Sequence, residues 1–339
     1  MLPSSLVPVV RSRFPEIIRG GRTCEIELLP KGPALRGFFT LELIDAKSKL
    51  IKQVLRFENL ITDAGLNAIN GTTLRVVDMT TYFGVGTGST APDVAQTDLI
   101  TPAAVSPRSN TTVSGFADES GFDAVGFAWW RRTRSFSESQ GNGNLAEVGA
   151  FSAASAGTMF SRQLIKDALG VPTTLVKTSA DILRITYEVR LYPPADLDTT
   201  IDISGTSYDI RVRAQSQSSG SNTWAALVQI LGTSNLYTAT PPAGVESNAQ
   251  AAVSTFPSTG TSSSFSSATQ AAYTGGTFYR DLTYIAEPGS SNFTTGIGTI
   301  VPWLSTQGRQ WAIYFTSTKV PKLNTQRLTL NFRHSYTRH

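Results

Sequence analysis

With 339 residues, the chain is long enough for two domains or for one large β-domain with an ample core. Only 16% of it is charged, against roughly 25% in ordinary soluble domains; Ser, Thr, Gly and Asn fill the difference, which suits β-sheet surfaces and polar loops better than helices. A net charge of +4 gives little footing for nucleic acid. One cysteine excludes an intrachain disulfide and a Cys-based zinc site, and two histidines, His334 and His339, confine any His-dependent triad or metal site to the last six residues.

Residues 1–22 read as an extended arm. Pro3, Pro8 and Pro15 block regular structure, while Leu6, Val9, Phe14, Ile17 and Ile18 offer apolar side chains that need something to lie against. Phe14, Ile17 and Ile18 are the expected assembly contact. "MLPSSLVPVV" lacks a positive n-region, is broken by two prolines and runs into Arg11, so no signal peptide is expected. No run approaches the roughly 20 apolar residues of a membrane span, so membrane insertion is not expected and the chain reads as made in a reducing cytoplasm. Cys24, in "TCEIELL", reads as a small apolar filler.

From Gly37 the pattern turns to β. "FFTLELID" alternates through Phe39, Leu41 and Leu43, "AKSK" supplies a turn, and "LIKQVLRFENLI" forms the return strand of a hairpin. "TDAGLNAIN" predicts a short helix with Thr62 as N-cap and Asn70-Gly71 as its stop. "TTLRVVDMTTYF" reads as a weak strand leading to "GVGTGSTAP". Further strands are expected at Ala124 to Phe136, Leu145 to Phe151 and Met159 to Ile165. The clearest is "LRITYEVRLY", with Leu183, Ile185, Tyr187, Val189 and Leu191 on one face and Arg184, Thr186, Glu188 and Arg190 on the other. Pro193-Pro194 ends it.

Beyond Ala195 the composition shifts. "ISGTSYDIRVRAQSQ" alternates Tyr208, Ile210 and Val212 against Arg211 and Arg213, and "STFPSTGTSSSFSSATQAAYTGG" predicts long loops or weakly specified strands. "QRLTLNFRHSY" alternates again, with Leu328, Leu330 and Phe332 on one side. The fold class is mainly β: β-sandwich-like, with short helices, long Ser/Thr/Gly-rich loops and the N-terminal arm. The expected division is an arm at 1–22, a β-rich domain at 23–195 and a second β-rich unit at 196–339, or one continuous fold through both.

Gly86-Thr87-Gly88-Ser89-Thr90-Ala91 fits the glycine fingerprint of a dinucleotide site, but its context fails. Pro92 and Asp93 replace the required helix N-terminus, and no second strand with a terminal acid completes a βαβ unit. Gly84, Gly86 and Gly88 are expected instead to form a tight strand exit in which glycine permits positive φ and close backbone packing. "WWRRTRSF" sets Trp129 and Trp130 beside Arg131, Arg132 and Arg134. Such interleaving can bind single strands, but a strand with paired or stacked arginines is favoured. Asp118, Glu119 and Asp123 lie in a turn-like stretch and read as solvated. No EF-hand spacing is present, and no cofactor or metal is expected. Tyr208, Trp224, Tyr237, Tyr273, Tyr279, Trp303 and Trp311 could line a sugar-binding surface, although most should be core or cross-strand partners.

Taken together, "NLITDAGLNAI", "YFGVGTGSTAPDVAQTDLI", "FSRQLIKDALGVPTTLVKTSADILRITYEVRLYPP" and the closing "PKLNTQRLTLNFRHSYTR" resemble a group of tailed-bacteriophage virion proteins. The likeness covers about residues 37–195 and the last twenty, with a looser fit between. It departs at Ala168-Leu169, where an Asx/Ser-Gly turn is more usual. The resemblance implies a structural, non-enzymatic protein of the virion tail, at the baseplate, tail tip or fibre-attachment region, synthesised in the host cytoplasm. It also implies other tail or baseplate proteins as partners and a homo-oligomer in a symmetric assembly. The rivals are a receptor- or carbohydrate-binding tail module that meets a host surface glycan, a polysaccharide depolymerase, and a capsid decoration protein.

Overall fold

The computed structural model describes residues 9–11, 23–29, 34–71, 76–122, 127–192, 197–203, 206–214, 237–239, 263–264, 266–289, 296–301, 311–316, 318–320, 322–335 and 337–338. The protein is mainly β, with two short helices among these residues. Phe14, Ile17, Ile18, Asp123, Trp224 and Trp303 lie outside them.

Near the N-terminus, β1 (Val9–Arg11) pairs antiparallel with β2 (Thr23–Leu29). Strands β3 (Ala34–Asp45) and β4 (Ile51–Glu58) form the expected hairpin, and the Asp45 carboxylate accepts the amides of Lys47 and Ser48 to close the turn. After β5 (Leu60–Ile61) comes helix α1 (Asp63–Gly71). Its N-cap is Thr62, whose Oγ1 accepts the Gly65 amide at 3.0 Å, satisfying a donor that the first turn leaves open.

The expected strand over residues 72–83 is a correction. Val76–Met79 is a helical turn, α2, because Val76 and Met79 are buried at a spacing of three rather than two, and Thr80 Oγ1 closes it on the Val76 carbonyl at 2.8 Å. Among its described residues the extended part is at the end, where β6 (Tyr82–Gly86) begins, followed by β7 (Arg108–Ser109), β8 (Glu119–Phe122) and β9 (Ala128–Phe136). "LAEVGAF" is also not one strand. It breaks at Ala146 into β10 (Gly143–Leu145) and β11 (Glu147–Phe151), because Ala146 donates to Gly86 and accepts from Ile165 while its two sides join different sheets. Then follow β12 (Met159–Leu164), β13 (Leu175–Lys177) and β14 (Asp181–Tyr192).

Two of the sheets face each other. One runs β8-β9-β14-β3, with β4 on the far side of β3; the other runs β5-β12-β11-β6-β7. Strand β14 pairs with β3 over its whole length, Asp181 opposite Asp45 through Tyr192 opposite Ala34. That register puts Phe39, Leu41 and Leu43 on the same inward face as Leu183, Ile185 and Tyr187. Across the gap, Phe83 of β6 meets Phe39 edge-on at 6.3 Å, and Phe160 of β12 meets Tyr187 at 6.3 Å. Phe39 and Tyr187 are 4.6 Å apart within their sheet. All four rings are buried, so each contributes its own area burial plus about 0.5–1.5 kcal/mol per favourable pair.

The second half continues with β15 (Leu197–Ile203), β16 (Thr206–Ala214), β17 (Tyr237–Ala239), β18 (Ser263–Ser264), β19 (Ser267–Gln270), β20 (Tyr279–Ala286), β21 (Thr299–Val301), β22 (Trp311–Phe315), β23 (Arg327–Ser335) and β24 (Thr337–Arg338). One sheet is β15-β16-β22-β21-β17-β18, in which Tyr208 and Ile210 are buried and Tyr208 stacks edge-on against Phe315. The other is β1-β2-β23-β20-β19, where β2 lies parallel to β23. Strand β24 adds to β3, so the end of the chain re-enters the first sandwich. Side chains bind the halves together as well. Arg280 of β20 donates to the carbonyls of Asn70 and Gly71, capping the C-terminus of α1, and Tyr273 donates to Asn67 Oδ1. Arg338 donates to the Ile61 carbonyl and pairs with Asp63.

Candidate functional site

The glycine string lies partly in β6 and partly in the loop that follows, and it does cradle an anion. The anion is the protein's own Glu147. Its carboxylate accepts the amides of Gly88 (3.1 Å), Ile100 (3.1 Å) and Thr101 (2.8 Å), and Arg162 of β12 donates Nε to it at 2.7 Å. Arg162 then donates to Gln96 Oε1 and to the Thr90 carbonyl, both at 2.9 Å. Both charged residues are fully buried. A buried ion pair of this kind holds because every polar group around it is satisfied.

This geometry corrects the expectation of positive φ at Gly84, Gly86 and Gly88, none of which adopts it. What the positions require is proximity. A Cβ on Gly86 would sit 2.6 Å from Glu147 Oε1, one on Gly88 2.5 Å from the same atom, and one on Gly84 2.6 Å from the Phe151 ring. The residues 87–101 loop is thereby clamped to β11 and β12 through Glu147 and Arg162.

On β9 the aromatic–arginine run forms a strand with all its arginines engaged. Trp129 and Arg131 face one way, and Arg131 stacks on Trp129 at 4.7 Å while donating to Glu188 at 2.7 Å. Trp130, Arg132 and Arg134 face the other way and are buried. Arg132 stacks on Trp130 at 4.6 Å, donates to Asp118 at 2.6 Å and reaches the Val77 carbonyl at 2.7 Å, closing the end of α2. Asp118 and Glu119 are exposed, as expected, but each also meets an arginine. Asp118 pairs with Arg132, and Glu119 lies 3.5 Å from Arg131. On the outer face of β14, burial pushes the Glu188 carboxyl up, but bonds from Arg131 and Arg190 outweigh it and hold the group below the usual range.

A second cluster ties three turns together. Lys52 Nζ donates to Asp181 at 2.6 Å and to Asp45 at 3.0 Å. Burial works to raise the Asp181 pKa, yet Lys52 and the hydroxyl and amide of Thr178 bring it down to about 2. The buried Lys177 ammonium donates to the Ser137 carbonyl (2.8 Å) and Asn142 Oδ1 (2.7 Å), and burial lowers its pKa.

These groups do structural chemistry: each charged side chain fastens a loop or a helix end to a strand. Among the described residues, no three His, Cys, Asp or Glu side chains converge as metal ligands would. No helix of these residues is long and apolar enough to cross a membrane. Of the aromatics read from sequence as possible sugar contacts, Tyr208 is buried, Tyr273 packs on Arg280 and Tyr279 lies under Arg333 at 3.7 Å.

Sequence reading missed the apolar surface at the start of β4. Leu50, just before the strand, and Ile51 and Val54 within it are 69%, 50% and 55% exposed, and among the described residues β4 pairs with β3 alone. The periodicity of "LIKQVLRF" marks a strand, but nothing local says that one of its edges has no strand beside it among the described residues. Compared with known protein families, with curated proteins and with solved structures, the chain matches none of them.

Proposed function

We propose that the protein is a non-enzymatic structural component of a bacteriophage tail, at the baseplate, tail tip or fibre-attachment region, acting through protein–protein contacts. The observation that carries this reading is where the phage-like stretches fall. "NLITDAGL" is tied to "FSRQLI" by Thr62, whose backbone amide donates to the Phe160 carbonyl at 3.0 Å. "FSRQLI" is tied to "GSTAPDVAQTDLI" through Arg162, and "HSYTR" returns through Arg338 to the start of α1. The shared residues thus form one interlocked scaffold, and a scaffold is what a group of assembly proteins has reason to share. The edge of β4 that is unpaired among the described residues, with Ile51 and Val54 exposed, suits strand addition by a neighbouring subunit.

The test is assembly. Particles are purified after expression of the full-length gene and of a form lacking residues 1–22, and their protein content is read by mass spectrometry. The full chain is expected in the tail fraction, and the shortened one is expected to be left behind although it keeps its β-type circular dichroism. Normal incorporation of the shortened chain would remove the docking role of the arm. Absence of the full-length chain from tails would remove the whole reading.

A further inference from the structure

Lys177, the last residue of β13, is only 1% exposed, although a lysine is rarely covered without a carboxylate against it. Among the described residues its Nζ donates to neutral oxygens only: the Ser137 carbonyl at 2.8 Å and Asn142 Oδ1 at 2.7 Å. Asn142 is held at its other end too, where Nδ2 donates to the Glu138 carbonyl at 2.8 Å. The turn that carries it is fixed in its own right. The Gln140 amide donates to the Ser137 carbonyl, the Gly141 amide donates to Val105, and Gly143 stands directly opposite Lys177 in the pairing of β10 with β13. An amine and a carboxamide thus face each other inside the fold, each fastened from its own side.

Contact with Oδ1 at 2.7 Å leaves Nζ within about 4 Å of Asn142 Cγ, because a C=O bond is about 1.2 Å long. Attack needs about 3–3.5 Å and an approach from above the carboxamide plane, which a turn about the soft terminal torsion of asparagine supplies. Burial outweighs the charges of Asp181 and Glu138 and lowers the Lys177 pKa, so more of this amine is neutral at a given pH than on an exposed lysine. Reaction also ends the burial of a charge, leaving a neutral amide where an ammonium stood.

We propose that Lys177 and Asn142 join in an isopeptide bond that forms within the folded chain. Nζ gives one proton to solvent, and its lone pair then attacks Cγ. The Nζ–Cγ bond forms, the Cγ–Nδ2 bond breaks, a second proton passes from Nζ to Nδ2, and ammonia leaves. Atoms and charge balance without an oxidant, a cofactor or a second protein. The bond staples the end of β13 to the turn between β9 and β10. It does not depend on the tail reading.

The full-length protein is incubated folded, digested with trypsin and read by tandem mass spectrometry. A branched peptide is expected, joining the Asn142 and Lys177 segments and lighter than their sum by one ammonia, with no cleavage after Lys177. It should form faster at about pH 9 than at about pH 6, because the neutral amine is the nucleophile. A chain kept in urea should not form it. Lys177→Arg and Asn142→Ser should each lose the branched peptide, and the wild-type digest decides the matter should either variant fail to fold. Unmodified Lys177 and Asn142 after prolonged incubation would overturn the proposal. So would loss of ammonia confined to Asn142-Gly143, as a succinimide or isoaspartate, with trypsin still cutting after Lys177. Equal formation in urea would overturn the role of the folded geometry.

Discussion

Replacing Arg162 by methionine keeps most of the side chain's length and removes its charge. Three bonds go with it, to Glu147 at 2.7 Å and to Gln96 and Thr90 at 2.9 Å each. The Glu147 carboxylate stays fully buried with three amides and no counter-charge. Removing one partner of such a pair costs about 3–5 kcal/mol, a large share of the roughly 5–15 kcal/mol that holds a typical domain. Glu147→Gln alone should cost a comparable amount, because its one amide oxygen can serve Gly88 and Thr101 while its NH2 then faces the Ile100 amide and the unpaired Arg162 Nε. Combined, the two substitutions should fall short of the sum of the singles by about 1–3 kcal/mol, since the second removes a charge that the first has stranded. Urea unfolding at pH 7, followed by circular dichroism, supplies the four stabilities of the cycle. Limited proteolysis should also cut within residues 89–98 sooner in Arg162→Met than in wild type. A loss under about 1 kcal/mol in Arg162→Met, or strict additivity in the double variant, would refute the clamp.

The Asp181 carboxyl, held at about 2, contributes stability that is fully present above the usual carboxylate range near pH 4 and is lost as pH falls through about 2. Lys52→Met should move the acid-side fall in Tm to higher pH, and unchanged curves between pH 6 and 2 would sink that assignment. Cys24 of β2 stands opposite Leu328 of β23 in the parallel register, so Leu328→Cys should oxidise to a disulfide with Cys24; mass spectrometry after mild oxidation checks the pairing. A free thiol at both positions would mean that β2 does not take that place. Ile51→Lys and Val54→Lys, on exposed positions of β4, should change stability by no more than about 0.5 kcal/mol and still reduce incorporation into particles. Full incorporation of the double lysine variant would exclude this edge as an interface.

What the sequence made legible is what repeats locally. Strands β3 and β14 alternate so strictly that their buried faces could be written down residue by residue, and the Thr62 cap stood in plain view. What stayed hidden depends on partners far along the chain. All five residues of β11 are buried, Glu147 among them, because the strand lies between β12 and β6, and no local pattern explains an acid there. The reason appears only when Arg162 and the amides of residues 88–101 close around it. The glycines were misread in the same way: the string resembles a turn, whereas the constraint is a carboxylate arriving from about sixty residues downstream. Residues 76–79 looked extended because four residues are too few to separate a period of two from one of 3.6.

The pairing of β2 with β23 sets a clock for the newborn chain. Thr23 finds Arg327 roughly 300 residues later, and at a synthesis rate of roughly 5–20 residues per second that is a wait of about 15 to 60 s. Strand β3 waits for β14 across roughly 140 residues, and for β24 as long as β2 waits for β23. Until then both early strands carry unmet backbone groups into a crowded medium, where other unfinished chains offer the same edges. A chain cut short of β14 leaves an edge of β3 open, and one cut short of β23 leaves an edge of β2 open, so each late strand also shields an early one from capture by its neighbours.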